Sequence, residues 1–266
     1  MTPAPGDPQD KVESSLLRLT PRRIWVLGVG VHDVAEQETV ALVDGFVRQG
    51  GPHQVATVNP EFVMRARRDT AFQETLNQAD LAVPDGVGIV WAGRLLGRRF
   101  RGRVPGVELT RRLAALAAAR GYRLYLLGAG PGVAEEAGRR LQEEYPELCI
   151  AGTYSGSPAP EEEEEIGVRI RAAAPQILLV AYGAPRQDLW LRRNLPRLGV
   201  PVGVGVGGTL DYLAGRVSRA PAWMRRAGLE WLHRLITQPW RWRRMLALPT
   251  FAWLVLCQAV RERWGR

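Results

Sequence analysis

Lysine is almost missing from this sequence. Lys11 is the only one, so arginine carries nearly all of the 36 basic residues and the net charge of +9. Cysteine is scarce as well. Cys149 and Cys257 lack metal-ligand spacing and suggest no disulfide framework, which points to a reducing compartment. The three histidines, His32, His53 and His233, are scattered, and each reads as structural. There is no P-loop, no Gly-X-Ser-X-Gly nucleophile turn and no Asp-X-Asp pair. The last absence disfavours a diphosphate held through a metal ion. Leu246–Val260 is strongly apolar, but it falls short of the roughly 20 residues that a membrane span needs. Residues 1–20 are polar and Pro-rich, lack a signal-peptide core, and read as a disordered tail.

What is present is a chain of 266 residues, 46% of them hydrophobic, enough for one large α/β domain and an appendage. Its Arg-rich balance suits nucleic acid, anionic lipid or phosphorylated substrates. Short apolar runs alternate with helical periods. Ile24–Val29 reads as a strand followed by a Gly-rich turn, GVGVHDV. Gln54–Asn59, Leu81–Pro84, Arg123–Leu127, Cys149–Tyr154, Ile177–Ala181 and Val202–Val206 read as further strands. Strands alternating with helices at this spacing predict an α/β, Rossmann-like, doubly wound and mainly parallel sheet over residues 21–217.

The chain is organised around TVNPEFVMRARRDTAFQETLNQADLAVPDGVGIVW, Thr57 to Trp91. It holds two strand-to-helix transitions. Pro60 opens one helix, at a position where its missing N–H costs nothing. Asp85 stands where the second strand stops. Ligands of open α/β sheets bind outside the carboxyl ends of strands, so Thr57, Asn59 and Asp85 would face that crevice. The plainer reading is that Asn59 and Asp85 cap helices.

Three glycine turns also follow strands: Gly128–Gly132, Gly183–Gln187 and Gly205–Gly208. Together they could cradle a nucleotide diphosphate through backbone N–H groups. The first departs from the dinucleotide fingerprint in its third glycine, and no acid follows Tyr154, which argues against a Rossmann-type oxidoreductase.

Residues 218–266 differ in composition. Between Arg219 and Arg266 lie six of the nine tryptophans and ten arginines against Glu230 and Glu262. Pro221, Pro239 and Pro249 divide the segment into short helices. Arginine with tryptophan on short helices is the composition of an interfacial membrane segment. The competing readings are a cap on the core, a homo-oligomer interface, or a module for single-stranded nucleic acid. Every expected strand lies within residues 24–215, so the core is expected to fold without this segment.

Seven stretches in order, TVNPEFV, LAVPDGVGIVWAGRLLG, RVPGVEL, YLLGAGPGVAE, GAPRQDLW, GVGGTLDYLAG and RAPAWMRRAGLEWLHRLITQPWRWRR, resemble the TagA/WecG/CpsF family of bacterial glycosyltransferases. The resemblance covers roughly residues 24–245. It implies a metal-independent, cofactor-free enzyme. That enzyme would move an N-acetylmannosamine-type sugar from a UDP donor to polyprenyl-diphosphate-linked N-acetylglucosamine, with inversion. It implies a role in teichoic-acid-type or other cell-surface polymers, at the cytoplasmic face of the membrane, without nucleic acid. It further implies Asp85 as catalytic base, with Thr57, Asn59, Arg103 and Gln187 in the pocket. Arg234, Arg241 and Arg244 would belong to an appendage that contacts the membrane and helps complete the site. Arg186 and Leu210 depart mildly from the family's Lys and Phe. The tail from Pro249 to Arg266 lies beyond the resemblance.

Overall fold

The computed structural model describes residues 21–239 and 242–264. The chain enters through an antiparallel hairpin, β1 (Arg23–Val26) and β2 (Val29–His32). This corrects the expected single strand and Gly-rich turn. Leu27 and Gly28 both have positive φ, 49° and 87°, and reverse the chain in two residues. Such a turn matches the twist of the strands it joins. The supposed turn GVGVH is mostly strand, because Gly30 lies under the Trp25 ring, where a Cβ would come within 3.3 Å.

After the hairpin come α1 (Glu36–Gln49), β3 (His53–Val58), α2 (Pro60–Ala66), α3 (Thr70–Gln78), β4 (Leu81–Pro84), α4 (Val87–Leu95) and α5 (Gly106–Arg120). Then follow β5 (Arg123–Gly128), α6 (Val133–Glu144), β6 (Cys149–Tyr154), α7 (Glu163–Ala173), β7 (Ile177–Ala181), α8 (Arg186–Leu198), β8 (Val202–Gly205) and α9 (Thr209–Leu213). The chain closes with α10 (Ala222–Arg226), α11 (Glu230–Thr237), α12 (Trp242–Met245) and α13 (Ala247–Trp264).

Strands β3 to β8 form one sheet in the order β4-β3-β8-β7-β5-β6, all neighbours parallel. Alternate side chains enter opposite cores. Val55, Leu81, Leu124, Leu179 and Val204 pack under α1, α5, α6 and α9. Ala56, Val58 and Ala82 face α2, α3 and α4, and Leu127, Leu178 and Val180 face α7 and α8. Burial on both faces is why these strands read as continuous apolar runs. The hairpin covers the edge strand β4: His32, fully buried, accepts the Ala82 N–H at Nδ1, 2.8 Å away. Burial and the neighbouring Arg23 hold that imidazole neutral, down to about 4.

The tail is where the chain departs most from its sequence reading. Pro249 does not break it but sits in the first turn of α13, where a missing N–H is harmless. Phe251 and Val255 are buried with Phe62, Phe72 and Ile89, and Gln258 bonds to the Leu27 N–H and the Trp25 carbonyl. The tail thus adds Phe251 and Val255 to the core beneath α2 and α4. Among the described residues, no helix is long and apolar enough to cross a membrane.

Candidate active site

The parallel register brings the ends of the strands, and the residues that follow them, to one edge of the sheet. Asp85 N–H donates to the Val58 carbonyl at 2.8 Å, extending the β3–β4 pairing by one step. The two strand ends, Asn59 and Asp85, are thus neighbours. Asn59 caps α2, its Oδ1 accepting the Phe62 N–H at 3.1 Å. The capping reading holds for Asn59. It fails for Asp85, because the residue before α4 is Gly86 and no side chain caps that helix. Gly86 adopts φ 90° and ψ 150°, a conformation that only glycine takes without strain. Asp85 is released from helix duty by that residue.

Charged side chains of both signs act on the Asp85 carboxylate. Val104 N–H donates to the Pro84 carbonyl at 2.8 Å and so lays the Arg103 loop beside β4. Helix α11 folds back over the sheet end and carries Glu230 and Arg234. Burial raises the Asp85 carboxyl to about 6; Arg234 and Arg103 oppose that rise, while Glu230 and Glu108 add to it. Burial alone would lower the Arg234 guanidinium. The charges of Tyr212, Asp85 and Glu230 outweigh it and hold it raised. The Arg234 guanidinium also stands over the Tyr212 ring, 5.1 Å from its centre.

Thr57 and Gln187 lie deeper than pocket-lining residues. Thr57 is buried, and its hydroxyl donates to the Gly205 carbonyl at 2.9 Å, tying β3 to β8. Gln187 is fully buried. Its Oε1 accepts N–H groups from Gly183 at 3.1 Å and Gly207 at 2.9 Å. It thereby braces two of the glycine turns that follow adjacent strands. The third turn, after β5, is next in the sheet order, so all three share one edge. Arg241 lies outside the described residues, and of Arg244 only its backbone place in α12 is described.

The structure adds residues that sequence reasoning left unassigned. Glu108, at the start of α5, pairs with Arg225 at 3.4 Å and closely with Arg219. Glu230 stands 3.8 Å from Arg103 and 3.9 Å from Arg219. The signal was faint: Glu230 and Arg234 are spaced as an ordinary helix-surface ion pair.

A sequence model of the Glycosyl transferase WecG/TagA/CpsF family matches residues 24–265. The chain belongs to this family. It is a glycosyltransferase. A relative from Bacillus subtilis (strain 168) is 35% identical over 202 residues, covering 76% of this chain and 78% of its own. A relative from Staphylococcus aureus (strain NCTC 8325 / PS 47) is 30% identical over 235 residues, covering 88% of this chain and 92% of its own. Both are named N-acetylglucosaminyldiphosphoundecaprenol N-acetyl-beta-D-mannosaminyltransferase. The family match extends through α13, beyond the stretches by which the resemblance was first read.

Proposed function

We propose that this WecG/TagA/CpsF family member transfers an N-acetylmannosamine-type sugar from a UDP donor to N-acetylglucosamine on a polyprenyl diphosphate. The transfer inverts the anomeric centre and needs no metal. The carrying observation is Asp85: an uncapped carboxylate at the carboxyl end of β4, set among Arg103 and Arg234 and raised to about 6. At neutral pH it is ionised, yet basic enough to take the acceptor hydroxyl proton as that oxygen attacks the anomeric carbon. The bond to UDP breaks on the opposite face. Charge growing on the leaving diphosphate is met by guanidinium groups and by N–H groups of the glycine turns. Asn59, Thr57 and Gln187 shape the same end of the sheet, the last two from beneath. Arg241 and Arg244 stay in this proposal as appendage arginines.

The acceptor's lipid requires a surface. Trp223, Trp231, Trp242, Trp253 and Trp264 are exposed, with Ile236, Leu246, Leu256 and Val260. Tryptophan settles at the headgroup level and arginine pairs with lipid phosphates. Peripheral docking at the cytoplasmic face follows, with a role in teichoic-acid-type or related surface polymers. The test is a panel of UDP-sugars offered with a short-chain lipid diphosphate-N-acetylglucosamine, read by mass spectrometry. A disaccharide-diphosphate product from UDP-N-acetylmannosamine or a close analogue is expected. No product from any UDP-sugar would refute the reading.

A further inference from the structure

Four arginines and two glutamates interlock over the Asp85 end of the sheet. Arg103 comes from the loop before α5, Arg219 from the segment entering α10, Arg225 from α10 itself, and Arg234 from α11. Glu108 takes hydrogen bonds from Arg219 and Arg225. Glu230 does not bond in this way. It lies at charge-contact distance, 3.8 Å from Arg103 and 3.9 Å from Arg219, midway between two guanidiniums. The Nε atoms of Arg219, Arg225 and Arg234 are buried and have no acceptor. An unmet buried donor is costly, the more so on a charged group. A single carboxylate offers two oxygens, too few for these donors. A diphosphate offers many more, spread over two tetrahedra, and matches guanidinium forks bidentately.

We propose that Glu230 is a built-in stand-in for a substrate diphosphate. It holds Arg103 and Arg219 together in the unliganded enzyme and gives way when the diphosphate arrives. Arg219 and Arg225 then join Arg103 and Arg234 as diphosphate ligands. This rests on the reading above that substrate diphosphates bind at this end of the sheet. The loose distances are what a replaceable occupant requires, since a tightly bonded carboxylate would compete too well. Both substrates carry a diphosphate, so the arms of the test must separate them.

The test is calorimetric titration of the full chain with inorganic pyrophosphate, UDP and farnesyl diphosphate. Glu230→Gln removes the internal competitor while keeping its shape. Pyrophosphate is expected to bind about fivefold to tenfold tighter to this variant, as a removed like charge at an anion site should give. Whichever of UDP and farnesyl diphosphate follows identifies the source. Arg219→Gln should weaken pyrophosphate binding about tenfold, and Glu230→Gln should then have a smaller effect in that background. Should Glu230→Gln fold poorly, Glu230→Asp withdraws the carboxylate by one methylene and is expected to tighten binding to a lesser degree. Unchanged or weaker pyrophosphate binding in the folded variant overturns the proposal and leaves Glu230 as a structural clasp. A gain with pyrophosphate but with neither organic ligand overturns the site as a substrate site. Binding is read without sugar transfer. Failure of the donor screen with a tightened Glu230→Gln variant would thus refute the transfer reading alone.

Discussion

At the residue scale, two aspartates with raised pKa values do different things. Asp85 is open to the site and surrounded by Arg234, Glu230, Arg103 and Glu108. Its raised pKa means the base is lost as pH falls through about 6, so kcat/KM should drop along an acid limb centred near there. Asp85→Asn should abolish that limb and cut transfer at least about 100-fold with UDP affinity nearly kept. Near-normal turnover of the variant would remove Asp85 as the base. Asp188 is fully buried beside Gln187, neither carboxylate oxygen has a hydrogen-bond donor, and burial pushes it up to about 7. A folded-state pKa above the unfolded one is stabilising below the unfolded pKa, and that benefit is lost as pH climbs to the folded value. Each pKa unit is worth about 1.4 kcal/mol, so Asp188→Asn should be about 1–3 kcal/mol more stable than the natural chain at pH 8 and little different at pH 4. Urea midpoints at the two pH values check this, and an equal gain at both would show that ionisation is not the cause.

At the element scale, α13 has two apolar faces with separate purposes. Phe251 and Val255 point into the core at 2% and 0% exposure, while Trp253 and Trp264 point out at 66% and 89%. Residues 253, 256, 260 and 264 recur at spacings that keep them on one side of a helix. Phe251→Ala should cost about 3–5 kcal/mol of stability, as large-to-small changes in packed cores do. The double change Trp253→Ala with Trp264→Ala should leave stability nearly untouched and lower association with anionic vesicles several-fold. Denaturant unfolding and vesicle co-sedimentation separate the two faces. Unchanged co-sedimentation would leave the outer tryptophans without a membrane role. The tail's sequence concealed this division, because a helix apolar on both sides shows no amphipathic period.

At the scale of the whole molecule, charge replaces metal in the proposed chemistry. Arg103, Arg219, Arg225 and Arg234 converge on the end of the sheet where the glycine turns after β5, β7 and β8 also lie. Cations already in place can stabilise a leaving diphosphate. Excess EDTA should therefore leave the transfer rate unchanged, and strict dependence on added Mg²⁺ or Mn²⁺ would contradict the reading. Glu108 and Glu230 keep the unliganded cluster from repelling itself apart.

The parallel α/β sheet was legible from the sequence alone, and with it the edge at which the proposed site lies. Apolar runs bounded by Asn59-Pro60 and Asp85-Gly86 are local signals, and parallel strands carry such boundaries to a common edge. The same local signal misread Ile24–Val29, because a two-residue turn at Leu27 and Gly28 is set by cross-strand packing under Trp25, not by a breaker cluster. Thr57 and Gln187 were legible as polar residues near the site. Only their hydrogen bonds, to the Gly205 carbonyl and from the Gly183 and Gly207 N–H groups, make them braces beneath it. Glu108 lies 111 residues before Arg219 in the chain, and Glu230 lies further on still. Their meeting depends on where α11 folds back over the sheet. Local periodicity carries no information about such a contact, so tertiary structure alone decided it.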